Sequence, residues 1–394
     1  MNLANGTVSS LSEFTIIGFD HLSHQKLLGS LILITYCLVL ICTTTNVSLI
    51  VSDRHLHTPM CILICNLAIV DFLFSTSCSP TMISVLLSEM KTISYTSCVA
   101  RMLMYSLGDV TECLVLTLMA LDRMIAIMSP LRYHSILTNS RTIKLIVLSW
   151  LIAVAVVIPL VTTLRSLPYC QPFIKYVFCD YATLLRTACV NPEPYFLYPV
   201  ILSLWLLGGH FSFIFLTYVV IIVTVLRLAN RQSRKKMFST CISHIIVCTS
   251  FYGPKLVSIL LTRIGVTLTL TERNAVVIIS AMLSPLINPL TYCLTTKQLR
   301  ERLIKLLTQN RVANIKLNAS PPSKDYALRA PAVSGLLPCC VFPLADPDPL
   351  AGSQPWSRMA ALDPQAGSLT WSFMAALDCQ VVSRTWSSMA PLDP

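Results

Sequence analysis

The chain has 394 residues, of which 54% are apolar and only 12% charged, with a formal net charge of +11. So little charge excludes a disordered protein and argues against a soluble enzyme, since soluble domains carry about 25% charged residues. A total of 11 glycines argues against a glycine-rich cofactor loop. The apolar residues gather in blocks of about 20–30, long enough to cross a hydrocarbon core of ~30 Å as helices.

Residues 1–26 read as an extracellular N-terminus whose first residues are polar and lack the basic start of a cleavable signal, so the first span is expected to direct insertion. They include Asn5-Gly6-Thr7, a glycosylation acceptor. Seven apolar stretches follow, near 27–52, 58–87, 98–128, 142–164, 195–228, 237–262 and 274–294. Each is too long for a strand and too apolar all round for a surface helix. Backbone polar groups in lipid must be satisfied internally, so residues 27–296 read as a bundle of seven transmembrane helices. Pro59, Pro80, Pro159, Pro254, Pro285 and Pro289 fall in or at the ends of these spans, where proline removes a ladder hydrogen bond. Residues 297–311 form a basic stretch with apolar positions at Leu299, Leu303, Leu306 and Leu307, the spacing of an amphipathic helix on the inner leaflet. Residues 312–394 change character. From Ala319 onward 11 of the 23 prolines occur, with a 15-residue repeat beginning at Trp356, Trp371 and Trp386. Such a tail reads as disordered.

Basic residues set the orientation. With the N-terminus outside, the inner segments hold fifteen Lys and Arg and the outer ones seven. The positive charge is then a cytoplasmic bias, and nucleic-acid binding is not needed to explain it. The cysteines agree: Cys98, Cys170, Cys179 and Cys189 fall at outer connections, where two disulfides can form. Nine others lie in or beside the membrane, as small packing residues.

Polar groups inside a bilayer are costly, so each is a candidate site. Asp71 lies ~20 Å in from Thr58 on the second span, and Glu112 ~16 Å outward of Arg123 on the third, at 1.5 Å per residue. With Asn46, Asn66, Ser284 and Asn288 on neighbouring spans, the two carboxyls either hold a hydrated cation or share a proton. Asp109 lies one helical turn outward of Glu112, and Lys255 sits at a similar depth on the sixth span. That pair is either structural or part of a site for a polar ligand.

Several motifs then occur in order. Leu56-His57-Thr58-Pro59-Met60 opens the second span, and Met119-Ala120-Leu121-Asp122-Arg123-Met124 with Pro130-Leu131-Arg132-Tyr133 ends the third. Lys236 to His244 (Lys-Met-Phe-Ser-Thr-Cys-Ile-Ser-His) and Phe251-Tyr252-Gly253 mark the sixth; Pro285-Leu286-Ile287-Asn288-Pro289-Leu290-Thr291-Tyr292 marks the seventh. Over about residues 10–310 the chain resembles vertebrate odorant receptors of the rhodopsin-like, G-protein-coupled class. Cys61, Leu121 and Met124 stand where tyrosines are usual in that family.

The resemblance implies a multi-pass plasma-membrane receptor, not an enzyme. It would bind a small odorant and activate a heterotrimeric G protein of the stimulatory olfactory type. The alternative is an uncoupled membrane protein of the same fold. It implies disulfides Cys98–Cys179 and Cys170–Cys189. It places a ligand pocket at Tyr105, Ser106, Asp109, Val110, Leu202, Leu206, Tyr252, Lys255 and Ile259. Asp122, Arg123, Tyr218, Asn288, Pro289 and Tyr292 would form the G-protein switch, with sodium as the cation at Asp71 and Glu112. Membrane lipid is the remaining expected partner. A transporter would show two similar halves with broken helices, and the spans show no such duplication. Neither Gly-x-Gly-Asp nor Gly-x-Ser-Gly, the nucleophile elements of intramembrane proteases, occurs.

Overall fold

The computed structural model describes residues 12–20, 22–227, 231–263, 269–296, 299–305 and 308. Asn5 and the repeat-bearing tail expected to be disordered lie outside these residues. Seven long helices dominate: α1 (Gln25–Ser52), α2 (Pro59–Leu87), α3 (Tyr95–Met128), α4 (Asn139–Ser166), α5 (Glu193–Leu226), α6 (Arg231–Arg263) and α7 (Leu270–Thr295). Six carry a window apolar enough to cross a bilayer. The exception is α3, which bears Arg101, Asp109, Glu112, Asp122 and Arg123. Asp109 and Glu112 meet side chains of α6 and α7, Asp122 pairs with Arg123, and the buried residues of α3 run from Cys98 to Asp122. The helix therefore sits inside the bundle, packed against α2, α4 and α5.

The helices begin where a side chain can satisfy the first free backbone amides. Thr58, Ser94 and Thr138 cap α2, α3 and α4, and Thr269 forms a capping box with Glu272 at the start of α7. Pro59 occupies the first turn of α2, where its missing N–H costs nothing. Pro80, Pro159, Pro254, Pro285 and Pro289 lie within helices, as expected. In α5 the ladder widens to a π-helix over Leu204–His210. There His210 Nδ1 meets Thr117 Oγ1 of α3 at 2.8 Å.

One end of the bundle carries a small sheet in the order β2-β1-β3. Strand β1 (Glu13–Ile16) pairs antiparallel with β2 (Thr92–Ser94) and parallel with β3 (Phe173–Ile174). Phe14, Ile16 and Phe19 are buried beneath it. Gly18 is required for this docking: a Cβ there would lie 2.4 Å from the backbone carbon and oxygen of Tyr176. Asn274 Nδ2 donates to the Gly18 carbonyl at 2.9 Å, tying the same segment to α7. The disulfides Cys98–Cys179 and Cys170–Cys189 are formed. The first joins α3 to the segment between α4 and α5, and the second closes a loop within that segment. At the opposite end, residues 299–305 are helical. Leu299 is buried, and Arg302 Nε reaches Asp53 Oδ2 at 3.3 Å.

Candidate functional site

Helix α3 lines up three polar centres along its length. Nearest the sheet, Lys255 Nζ of α6 donates to Asp109 Oδ1, and the ammonium lies 3.4 Å from the centroid of the Phe251 ring. The side chains are 15% and 27% exposed for Lys255 and Asp109, so both are largely withdrawn from water. The ring face offsets part of the ammonium's lost hydration. The surrounding wall is apolar and aromatic. Tyr105 stacks on Phe74 at 4.7 Å and meets Phe178 at 4.9 Å. Tyr252 packs on Phe211 and Phe251, and Val110 and Leu206 are buried beside it in the same core cluster. Leu202 packs on the margin of that cluster, and Ser106 Oγ donates to Met102 Sδ at 3.6 Å. Ile259 stands apart from its expected neighbours: it is 43% exposed and belongs to neither core cluster.

One turn further along α3, Glu112 meets Asp71. Asn288 Nδ2 donates to Asp71 Oδ1 at 2.8 Å and to Glu112 Oε1 at 3.0 Å, and Ser284 Oγ also donates to Glu112 Oε1. Asn46 Nδ2 instead donates to the Pro289 carbonyl at 3.0 Å, joining α1 to α7. Asn66 accepts from Trp150 Nε1 at 3.0 Å and takes no part in the cluster. Both carboxyls are fully buried, and Asp71 Oδ2 and Glu112 Oε2 have no hydrogen-bond partner among the described residues. Two buried carboxylates bridged by one neutral amide are left uncompensated, so a proton or a cation must complete the cluster. The oxygens of Asp71, Glu112 and Ser284 are of the ligand type that suits a hard cation.

The third centre lies near the far end of α3. Arg123 Nη2 and Nε contact Asp122 Oδ2 at 2.6 and 3.0 Å, while the Tyr133 hydroxyl donates to Asp122 Oδ1 at 2.6 Å. Burial and the adjacent Asp122 charge push the Tyr133 hydroxyl above its ordinary titration range, which keeps it protonated as a donor. Asp122 is buried, so this is no exposed surface pair. Tyr218 and Tyr292 are engaged elsewhere. Tyr218 hydrogen-bonds His244 Nδ1 at 2.6 Å and stacks on that ring, and the Tyr292 hydroxyl donates to Met119 Sδ at 3.9 Å.

The structure thus pairs Lys255 with Asp109 and places Val110, Leu206 and Tyr252 in one core cluster, with Leu202 at its margin and Tyr105 against the neighbouring cluster. It joins the two cation-site carboxyls through Asn288, and Asp122 with Arg123. It keeps Tyr218 and Tyr292 apart from Arg123's own hydrogen bonds. Tyr133, His244 and Met119 carry contacts that residue types alone did not assign. All three carried a signal, since Met119 opens Met119-Ala120-Leu121-Asp122-Arg123-Met124, Tyr133 ends Pro130-Leu131-Arg132-Tyr133 and His244 ends the motif opening α6.

A family model described as olfactory receptor matches residues 32–310. Human olfactory receptor 6K3 is 32% identical over 315 residues, covering 79% of this chain and 94% of that receptor. Mouse olfactory receptor 2A7 is 31% identical over 303 residues, covering 76% and 97%. Human olfactory receptor 6F1 is 33% identical over 311 residues, covering 77% and 98%. Seven helices in a multi-pass bundle, two disulfides over one end, and similarity spanning nearly the whole of those relatives make this chain a member of the olfactory receptor family, G-protein-coupled signalling receptors rather than enzymes.

Proposed function

We propose that the chain is an odorant receptor of the plasma membrane, with its N-terminus outside, acting on a heterotrimeric G protein of the stimulatory olfactory type. The observation that carries this is the arrangement along α3. A partly desolvated pair in an aromatic wall lies at one end, and an arginine held by a buried carboxylate lies at the other. Asp109 and Arg123 are 14 residues apart, or ~21 Å along the helix.

Tyr105, Ser106, Asp109, Val110, Leu202, Leu206, Tyr252, Lys255 and Ile259 form the proposed ligand site. It joins apolar and aromatic surface to a few polar groups, the usual character of small-molecule pockets. With Lys255 neutralised by Asp109, the site suits a neutral or zwitterionic small molecule. Ligand binding changes the packing of α6 against α3 through Lys255, Tyr252 and Phe251. The resting bundle keeps Arg123 on Asp122; activation releases it toward Tyr218 and Tyr292, near Asn288 and Pro289, to meet the G protein. A sodium ion between Asp71 and Glu112 would supply the positive charge that the cluster needs, and it would favour the resting packing. A ligand shifts such an equilibrium only by binding its two states with different affinity. Lipid contacts the exposed apolar faces and the basic helix beyond α7.

The test is a cell assay with an epitope at the N-terminus. Antibody labelling of intact cells reads orientation and delivery, and cyclic AMP reads coupling across a panel of neutral and zwitterionic odorants. Labelled cells that raise cyclic AMP with some odorants support the proposal. Labelled cells that remain silent with every odorant, and show no basal signal above untransfected cells, favour the uncoupled alternative.

A further inference from the structure

Between α3 and α4 the chain makes a one-turn helix, Tyr133–Ile136, in which no residue is buried. It is anchored at one end by the Tyr133 hydroxyl on Asp122 and at the other by the buried side chain of Leu137. A turn with no buried residue of its own opens at little cost, as an enzyme that binds extended peptides requires.

Ser135 is exposed on this turn, three residues after Arg132, which is exposed as well. The Ser135 hydroxyl donates to the Arg132 carbonyl at 2.8 Å, a local bond that water can replace. The Arg132 guanidinium enters no ion pair among the described residues. Arg132-Tyr133-His134-Ser135 and Arg384-Thr385-Trp386-Ser387 are the two places in the sequence where an arginine precedes a Ser or Thr by three residues. Arginine-directed Ser/Thr kinases select substrates by that spacing, a charge pattern read by acidic side chains beside the peptide groove. Other hydroxyls at this end are already committed: Thr58 and Thr138 cap helices, and Thr142 returns its hydroxyl to the Thr138 carbonyl.

The surroundings also suit the product. Arg141 Nη1 donates to the Ser135 and Ile136 carbonyls at 2.7 and 2.8 Å, so a second guanidinium lies against the same turn, held there by neutral groups. A phosphoserine carries a charge of about −1.5 to −2 and orders a segment when arginines face it.

We infer that Ser135 is a phosphorylation site for an arginine-directed kinase, recognised through Arg132, and that its phosphate pairs with Arg132 and Arg141 to close the turn. Ser135 Oγ attacks the γ-phosphorus of ATP. The new O–P bond forms as the bond to ADP breaks, and the hydroxyl proton passes to the kinase's base. The closed turn holds Tyr133 on Asp122 and so keeps Arg123 at rest. That consequence, and access to cytoplasmic ATP, rest on the orientation and switch proposed above.

The test uses the full-length receptor in phosphatidylcholine nanodiscs, with magnesium-ATP and an activated calcium–calmodulin-dependent kinase, which requires one arginine at that position. Both faces of a nanodisc are open to the kinase, so the result depends on neither orientation nor G-protein coupling. Peptide mass spectrometry is expected to find phosphate on Ser135. Arg132→Gln should slow its incorporation about tenfold or more, the worth of a charged contact, and Arg132→Lys should recover part of the loss. Phosphorylated wild type should exchange backbone hydrogens at residues 133–137 about tenfold or more slowly than the unmodified protein. Arg141→Gln should remove that slowing while still accepting phosphate. Thermal unfolding verifies that each variant is folded. Phosphate on Ser387 with none on Ser135 would show an active kinase and a turn closed to it, and would overturn the site. An undiminished rate in folded Arg132→Gln would do the same, and unchanged exchange after modification would overturn the closing of the turn. A receptor that accepts phosphate here yet never signals would count against the proposed function and leave this site standing.

Discussion

Removing the ammonium of Lys255 leaves Asp109 charged in a wall of Tyr105, Val110, Phe251 and Tyr252. Breaking a fully buried pair costs about 3–5 kcal/mol, whereas an exposed pair is worth about 0–1 kcal/mol. With 15% and 27% of the two side chains exposed, Lys255→Met should cost about 1–3 kcal/mol, including the lost contact with the Phe251 ring. At roughly 2 °C per kcal/mol for a protein of this size, the melting temperature should fall by about 2–6 °C. Asp109→Asn should cost a similar amount, because it strands the ammonium instead. The double variant Asp109→Asn/Lys255→Met leaves neither charge unpaired and should recover most of the loss. A thiol-reactive fluorogenic dye suits the measurement: of the nine cysteines outside the disulfides among the described residues, six are buried and react only as the bundle opens. Single-variant losses that simply add in the double variant would refute the pairing as the source of the effect.

Three further outcomes follow from other contacts. Raising sodium should lower basal signalling, and Glu112→Gln should remove that dependence; a flat sodium response in a signalling receptor would reduce the Asp71–Glu112 cluster to a proton-sharing pair. Gly18→Ala places a methyl against the Tyr176 backbone, which cannot move like a flexible side chain, and should cost about 1–3 kcal/mol. Faster hydrogen exchange at residues 13–16 and 173–174 would report it, and unchanged exchange would refute it. Cys179→Ser opens a link spanning 81 residues, whose chain-entropy contribution is about 4.5 kcal/mol. A melting temperature unchanged from wild type would contradict it.

The helices were legible because hydrocarbon thickness imposes a length that composition reveals. Their ends ran past the apolar blocks where a polar cap continued the helix: α4 begins at Asn139 under Thr138, and α7 at Leu270 under Thr269. The charge pairs were legible by depth alone, since a rise of 1.5 Å per residue places Asp109 beside Lys255 and Glu112 beside Asp71. The three-stranded sheet was not. Strand β1 has four residues, and its partners lie far away in two separate loops, so no local periodicity announces it. Nor does sequence spacing show that Ile259 turns outward, that Tyr133 takes one oxygen of Asp122, or that His244 occupies the Tyr218 hydroxyl. Those depend on how helices rotate against each other, which packing decides.

The most direct measurement compares wild type with Arg123→Ala in cells whose surface labelling is matched. Odorant-evoked and basal cyclic AMP are recorded for both. If Arg123, freed from Asp122, is the group that meets the G protein, wild type responds and the variant loses both signals at equal surface density. A variant that signals as wild type does, at that same density, would contradict the switch and with it the mechanism built along α3.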